Sequence, residues 1–312
     1  MRFSRTLIYF LIGAFAISWT MAGLVALLDI QNALIRLVLT GLLYMWGPGI
    51  AALVVNQFLI KQPMTRIGLT VENLNWKALA ASLFMPALII ATAIGVNFIL
   101  GNVLKINGFG EVILTTEGVV KRVGDIAREA GQPAELAEAQ MSRPVWQTIL
   151  ILLGSGLVAG ATINLLFALG EELGWRGLML TETRSWGFWP AQLFTGVMWG
   201  LWHAPLILEG HNYPGYTWAG VGMMVLFCVA MSPLMTLFTL RTGSVFSAAA
   251  FHGAFNALPG AIMLFTHGAN PLFGGAAGVS TILALILLTG VLGWFFRKEI
   301  NGFRQESMPD AE

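Results

Sequence analysis

Six side chains in this sequence have types that could do chemistry, although their surroundings are otherwise apolar. Glu171, Glu172 and Arg176 stand in Ala168-Leu169-Gly170-Glu171-Glu172-Leu173-Gly174-Trp175-Arg176-Gly177. His203 stands in Trp199-Gly200-Leu201-Trp202-His203-Ala204-Pro205, and His252 and Asn256 in Phe251-His252-Gly253-Ala254-Phe255-Asn256. Ionisable groups within apolar spans are costly and mark functional candidates. Adjacent helical residues diverge by about 100°, so Glu171 and Glu172 point different ways. Glu172 and Arg176 are four apart and suit an ion pair, which leaves Glu171 to face a separate cavity. His252 and Asn256 share a helix face by the same spacing. Ser247, Ala248, Ala249, Ala250, Gly253 and Ala254 make that stretch permissive to close approach.

A glutamate serves as general base toward a water. A histidine can share that water and later protonate a leaving amine. An imidazole and an asparagine amide on a facing helix can donate hydrogen bonds to a tetrahedral oxyanion. Together these groups suffice to hydrolyse a peptide bond without a covalent intermediate. Two histidines and one glutamate also match a catalytic zinc ligand set, and the spacing leaves both readings open. The HExxH signature is absent, since Ala204 follows His203 and Gly253 follows His252. The spans hold no paired Asp for an aspartyl dyad, and Ser155 in Gly154-Ser155-Gly156 reads as small-residue packing.

The elements that position these residues must be membrane helices. Of 312 residues, 56% are hydrophobic and 11% charged, against about 25% charged in soluble domains. Mean hydropathy is +0.74, more apolar surface than a soluble fold of this length could hide. A transmembrane helix needs about 20 mostly apolar residues. Eight candidates meet that need: Thr6–Leu28, Val38–Ile60, Lys77–Gly101, Trp146–Leu180, Phe188–Leu208, Thr217–Leu240, Gly243–Thr266 and Phe273–Phe296. The expected fold is therefore an all-α polytopic bundle of eight spans, a single membrane domain over 1–312. The first span is too long for a signal-peptide core and reads as retained. Net charge is +1, so no bulk field points to nucleic acid. Cys228 is the one cysteine and reads as a small buried hydrophobe.

Basic residues set the expected topology. Arg2, Arg5, Lys61, Arg66, Lys77, Arg184, Arg241, Arg297, Lys298 and Arg304 fall at one side of the spans, whereas the short loops on the other side hold only Arg36. Both termini are thus expected in the cytoplasm. The polar segment 102–145 is expected to be an extramembrane insertion, with an amphipathic helix over Val119–Met141 whose apolar residues are Val120, Ile126, Ala130 and Leu136. Trp76, Trp146, Trp186, Trp189, Trp218 and Trp294 read as an interfacial aromatic belt. Pro48, Pro86, Pro205, Pro233 and Pro259 are expected to kink their spans. At 1.5 Å per residue, Glu171 lies about 14 Å from Leu180, His252 about 14 Å from Gly243 and His203 about 22 Å from Phe188. Three helices so bring a carboxylate, two imidazoles and an amide to similar depth.

Glu171-Glu172-x-x-x-Arg176, then Trp199-x-x-x-His203, then His252-x-x-x-Asn256 resemble the three motifs of the CPBP family, which comprises CAAX-type prenyl endopeptidases and Abi bacteriocin-processing membrane proteins. Order, spacing and placement on three helices agree over 146–266, the motif-bearing core. Trp199 stands where the family pattern has Phe. The resemblance implies an intramembrane endopeptidase in which Glu171 and His203 activate water, His252 and Asn256 form the oxyanion site, and Glu172, Arg176 and Trp199 support them. It implies no required cofactor; the alternative is one divalent metal, zinc, held by Glu171, His203 and His252. The expected partners are the bilayer and a membrane-associated peptide or protein substrate, with no nucleic acid. The expected location is a bacterial cytoplasmic membrane, with the site opening toward its cytoplasmic half. Two rivals are a non-catalytic immunity or scaffold protein of the same fold and a proton-coupled transporter. The intact residue set argues against the first and the lack of repeated halves against the second.

Overall fold

The computed structural model describes residues 2–304, apart from 29, 31, 33, 34, 36, 37 and 142. Arg36, the basic residue assigned to the opposite-side loops, lies outside the described residues. The chain is all-helical but for a two-residue ribbon, β1 (Glu111–Val112) against β2 (Thr266–His267). Five helices are long and apolar enough to cross a membrane: α1 (Arg5–Leu27), α2 (Thr40–Leu59), α3 (Trp76–Val103), α10 (Thr217–Thr242) and α11 (Val245–Phe265). A bent pair, α6 (Val145–Ala161) and α7 (Ile163–Trp186), raises the number to six if the two form one span. Their outward faces carry exposed Ile, Leu, Phe and Trp side chains, as a lipid-facing surface requires. This is an integral membrane protein.

The expected count of eight is therefore not reached among the described residues, for local reasons. The long fourth candidate is two helices meeting at 53°. Thr162 sits at the break, and its Oγ1 donates to the Val158 carbonyl at 2.6 Å, a back-bond that bends helices. The fifth divides at His203 into α8 (Phe188–Trp202) and α9 (Ala204–Leu208), because Pro205 has no N–H to continue the ladder. The eighth shortens to α12 (Val279–Phe295), 17 residues, followed by α13 (Arg297–Gly302). Pro48, Pro205 and Pro259 fall in first turns next to breaks, while Pro86 and Pro233 lie inside helices.

The segment 102–145 forms two helices where the sequence suggests one, α4 (Thr116–Glu129) and α5 (Ala134–Gln140). Gly131 at φ +70° and Pro133 separate them; the left-handed backbone at Gly131 is one that glycine tolerates without strain. Val119 is buried and Arg122 donates from Nε to the Met263 carbonyl at 3.2 Å, which docks α4 on the end of α11. Leu136, expected on the apolar face, is 64% exposed. Five of the six belt tryptophans are exposed near helix ends; Trp186 is instead buried, donating to the Arg2 carbonyl at 3.3 Å.

The two ends of the bundle are distinct. At one, Arg2 and Arg304 both meet Trp186, and Arg66 and Ser4 both engage Glu182. At the other, Ser18 binds the Tyr44 carbonyl, Trp19 binds the Trp202 carbonyl, and the Tyr213 hydroxyl donates to the Ala277 carbonyl at 2.7 Å. Burial holds the Tyr213 phenol above its ordinary pKa, so it remains a protonated donor tying the 209–216 loop to the segment before α12.

Candidate functional site

The side chains singled out above come from α7, from α8 and its junction with α9 at His203, and from α11. Close contact holds α7 against its neighbours. A Cβ on Gly253 of α11 would come within 2.9 Å of the Asn164 carbonyl carbon, and one on Gly49 of α2 within 2.5 Å of the Gly170 carbonyl oxygen. Glycine at these points lets the backbones touch. Just beyond Glu172, α7 widens into a π-helical turn over Leu173–Leu178 that contains Arg176, a local irregularity often found at functional sites.

Glu171, His203, His252 and Asn256 line one cavity of about 500 Å³. Glu171 is 2% exposed, and its Oε2 accepts from Trp199 Nε1 at 2.7 Å. Glu172 faces elsewhere, as its spacing requires. Its carboxylate accepts from Arg176 Nη1 at 2.9 Å and from His252 Nδ1 at 2.8 Å. Both members of the Glu172–Arg176 pair have fully buried side chains. The Arg176 guanidinium lies 4.3 Å from the centroid of the Trp199 ring and reaches Ser232 at 3.5 Å. Behind it, Gln192 accepts from Ser232 and Thr236.

The helix end at His203 explains the state of its ring. The His203 N–H turns to the Gly200 carbonyl at 3.2 Å, one residue short of the α-helical partner. The Trp199 carbonyl is thereby free to accept from His203 Nδ1, at 2.8 Å. Because a carbonyl only accepts, Nδ1 carries the proton, and in the neutral ring Nε2 keeps its lone pair. The same reasoning gives His252 an Nδ1–H toward Glu172; its Nε2 donates only if the ring carries both protons.

Glu171, Glu172, Arg176, Trp199, His203 and His252 thus form one connected set, and Asn256 lines the same cavity one turn further along α11. The pairing of Glu172 with His252 has no local signature, since 80 residues separate them. Ser232 and Gln192 carry no signal beyond being polar in apolar spans. His211 and Asn212, which are exposed and line the cavity, were not singled out by the sequence either. Ser155 donates to the Leu152 carbonyl on an exposed face and does not line the cavity. Cys228 is buried and contacts Met224 Sδ at 3.7 Å.

The cavity lining includes Thr40, Ile163, His211, Asn212 and Ala276. α7 runs past Leu180 to Trp186, so Glu171 is about 22 Å from that end and about 12 Å from Ile163 at the break.

Among the described residues, no three His, Cys, Asp or Glu side chains form a group that could hold an ion, so Glu171, His203 and His252 are not drawn together as a zinc ligand set. Nδ1 of both histidines and one oxygen of Glu171 are engaged, which leaves each Nε2 and Glu171 Oε1 as the atoms that would face an ion.

Residues 144–258 match the family model for Rce1-like proteins, type II CAAX prenyl endopeptidases. Every residue of the connected set falls inside that stretch. Over 50 residues, 16% of the chain, the sequence is 42% identical to CAAX prenyl protease 2 of Methanococcus maripaludis. That alignment spans 18% of the relative, so the chain matches less than a fifth of the curated protein's length. The resemblance read from the three motifs is thus shared with an Rce1-like family model over the same helices.

Proposed function

We propose that this protein is an intramembrane endopeptidase that hydrolyses a peptide bond in a membrane-associated peptide or protein. The observation that carries the reading is a carboxylate, two imidazoles and an amide from three helices lining one cavity. The Rce1-like match and the relative's name, a CAAX prenyl protease, support the same class. Met224, Phe227, Met231 and Phe255 on the cavity walls suit an apolar substrate.

In the proposed reaction Glu171 takes a proton from a water as the water oxygen bonds to the scissile carbonyl carbon. His203, with Nδ1–H held on the Trp199 carbonyl, presents Nε2 to the same water. Asn256 and the doubly protonated His252 donate to the oxyanion. As the C–N bond breaks, the proton taken from water passes to the leaving nitrogen, giving a new carboxyl end and a free amine. Glu172 orients His252 through Nδ1 and is itself held by Arg176. No step uses a metal.

The test compares membranes expressing wild type with membranes expressing Glu171→Ala at equal level, mapping new peptide N-termini by mass spectrometry with and without a chelator. Termini confined to wild type and insensitive to chelation are the expected result. Loss of those termini with chelator would transfer the chemistry to a metal. Identical termini in both membranes would remove the proteolysis reading in favour of a scaffold or immunity role.

A further inference from the structure

Trp199 touches four members of the connected set at once. Its indole Nε1–H donates to Glu171 Oε2 at 2.7 Å. Its carbonyl accepts from His203 Nδ1 at 2.8 Å. Its ring carries the Arg176 guanidinium on one face, and the His252 ring meets it in a T-shaped contact with centroids 5.4 Å apart. The residue is 2% exposed, so its rotamer is fixed by these neighbours.

Glu171 is buried and, among the described residues, receives a hydrogen bond from Trp199 alone. A carboxylate has two oxygens and rotates about its terminal torsion unless something holds it. The indole N–H is a donor only, so it engages the carboxylate and competes for no proton. With Oε2 clamped, Oε1 is left for the reacting water. Phenylalanine, the residue the resemblance would put here, has the ring and the stacking surface but no donor.

We propose that Trp199 is a positioning residue whose indole N–H holds one oxygen of Glu171 and aims the other at the water, while its carbonyl sets the His203 ring. The proposal rests on Glu171 acting as the base, and its test separates the two. Uniformly ¹⁵N-labelled full-length protein in detergent gives one indole cross-peak per tryptophan, and Trp199→Phe assigns the relevant one. The expected result is that Glu171→Ala moves the Trp199 indole peak and leaves the distant tryptophans in place. An unmoved peak overturns the clamp whether or not the protein is a protease.

The second arm uses native membranes as the substrate pool. In Trp199→Phe, the termini that depend on Glu171 are expected to appear on the order of ten- to a hundredfold more slowly, the range for one lost hydrogen bond to a charged group. Trp175→Phe is the packing control, since it removes the same atoms from a buried tryptophan whose Nε1 has no partner among the described residues. The thermal midpoint of Trp199→Phe should lie below that of Trp175→Phe, because only in Trp199→Phe does a buried carboxylate lose its donor. Trp175→Phe should cleave faster than Trp199→Phe. Equal rates in wild type and Trp199→Phe overturn the positioning role, as does equal slowing in both variants. Absence of any Glu171-dependent terminus overturns the proteolysis reading and the catalytic half of this one, while the indole peak still decides the hydrogen bond.

Discussion

The Glu172–Arg176 pair and the Asp125–Arg128 pair have similar lengths, 2.9 and 2.7 Å, and opposite surroundings. The first has both side chains fully buried on α7, against Trp199, Ser232 and His252; the second lies on α4 with Arg128 57% exposed. Water and salt can replace the surface pair at little cost. Nothing replaces the buried pair, because each charge has been taken out of water and relies on the other. The same contrast separates the two polar regions of the chain. The segment 102–145 holds many charges that face outward, whereas the connected set of α7, α8 and α11 holds few charges, each with an assigned partner. Charge number is therefore no guide to function here; burial with pairing is.

The contrast can be broken at the buried set with large effects. Glu171→Ala is expected to lower the rate of appearance of its dependent termini by about 10²- to 10⁴-fold, the range for loss of a general base. Glu172→Gln leaves Arg176 buried without its counter-charge and is expected to cost about 3–5 kcal/mol, read as a lowered denaturation midpoint in detergent. It should also slow cleavage, since His252 loses the carboxylate at its Nδ1. Asn256→Ala is expected to slow cleavage by about 10²- to 10³-fold with the midpoint held, as removal of one oxyanion donor does. Arg128→Ala sharpens the comparison from the other side. It should move the midpoint by less than about 1 kcal/mol and leave the termini unchanged. A large effect there would place function in the insertion and upset the distinction.

The fold was legible in the sequence as a class but not in its number of spans. Runs of apolar residues mark where helices form, yet Thr162 and His203-Ala204-Pro205 interrupt two of them. Hydropathy averaged over 20 residues passes over such breaks, because a back-bonding hydroxyl or a missing N–H barely changes the mean. The split of 119–141 was signalled by Gly131 and Pro133 and masked by the apolar periodicity on either side. At the site, the separation of Glu171 from Glu172 and the pairing of Glu172 with Arg176 follow from helix geometry alone, and both are present. The hydrogen bond from His252 to Glu172 and the indole clamp on Glu171 join residues 80 and 28 apart. Spacing along one helix cannot signal them.

What the sequence by itself determined is the membrane setting, the all-helical class and the short roster of polar residues, because hydrophobicity and helical period are local properties. Which side chains share the cavity, which carboxylate holds His252 and which Glu171 oxygen stays free were decided by the tertiary structure. Those depend on how far α7 and α8 run before they end and on glycines that let α7 lie against α2 and α11. Such distances arise only when separate helices pack, since the hydrogen bonds that fix them have no partner within their own helix.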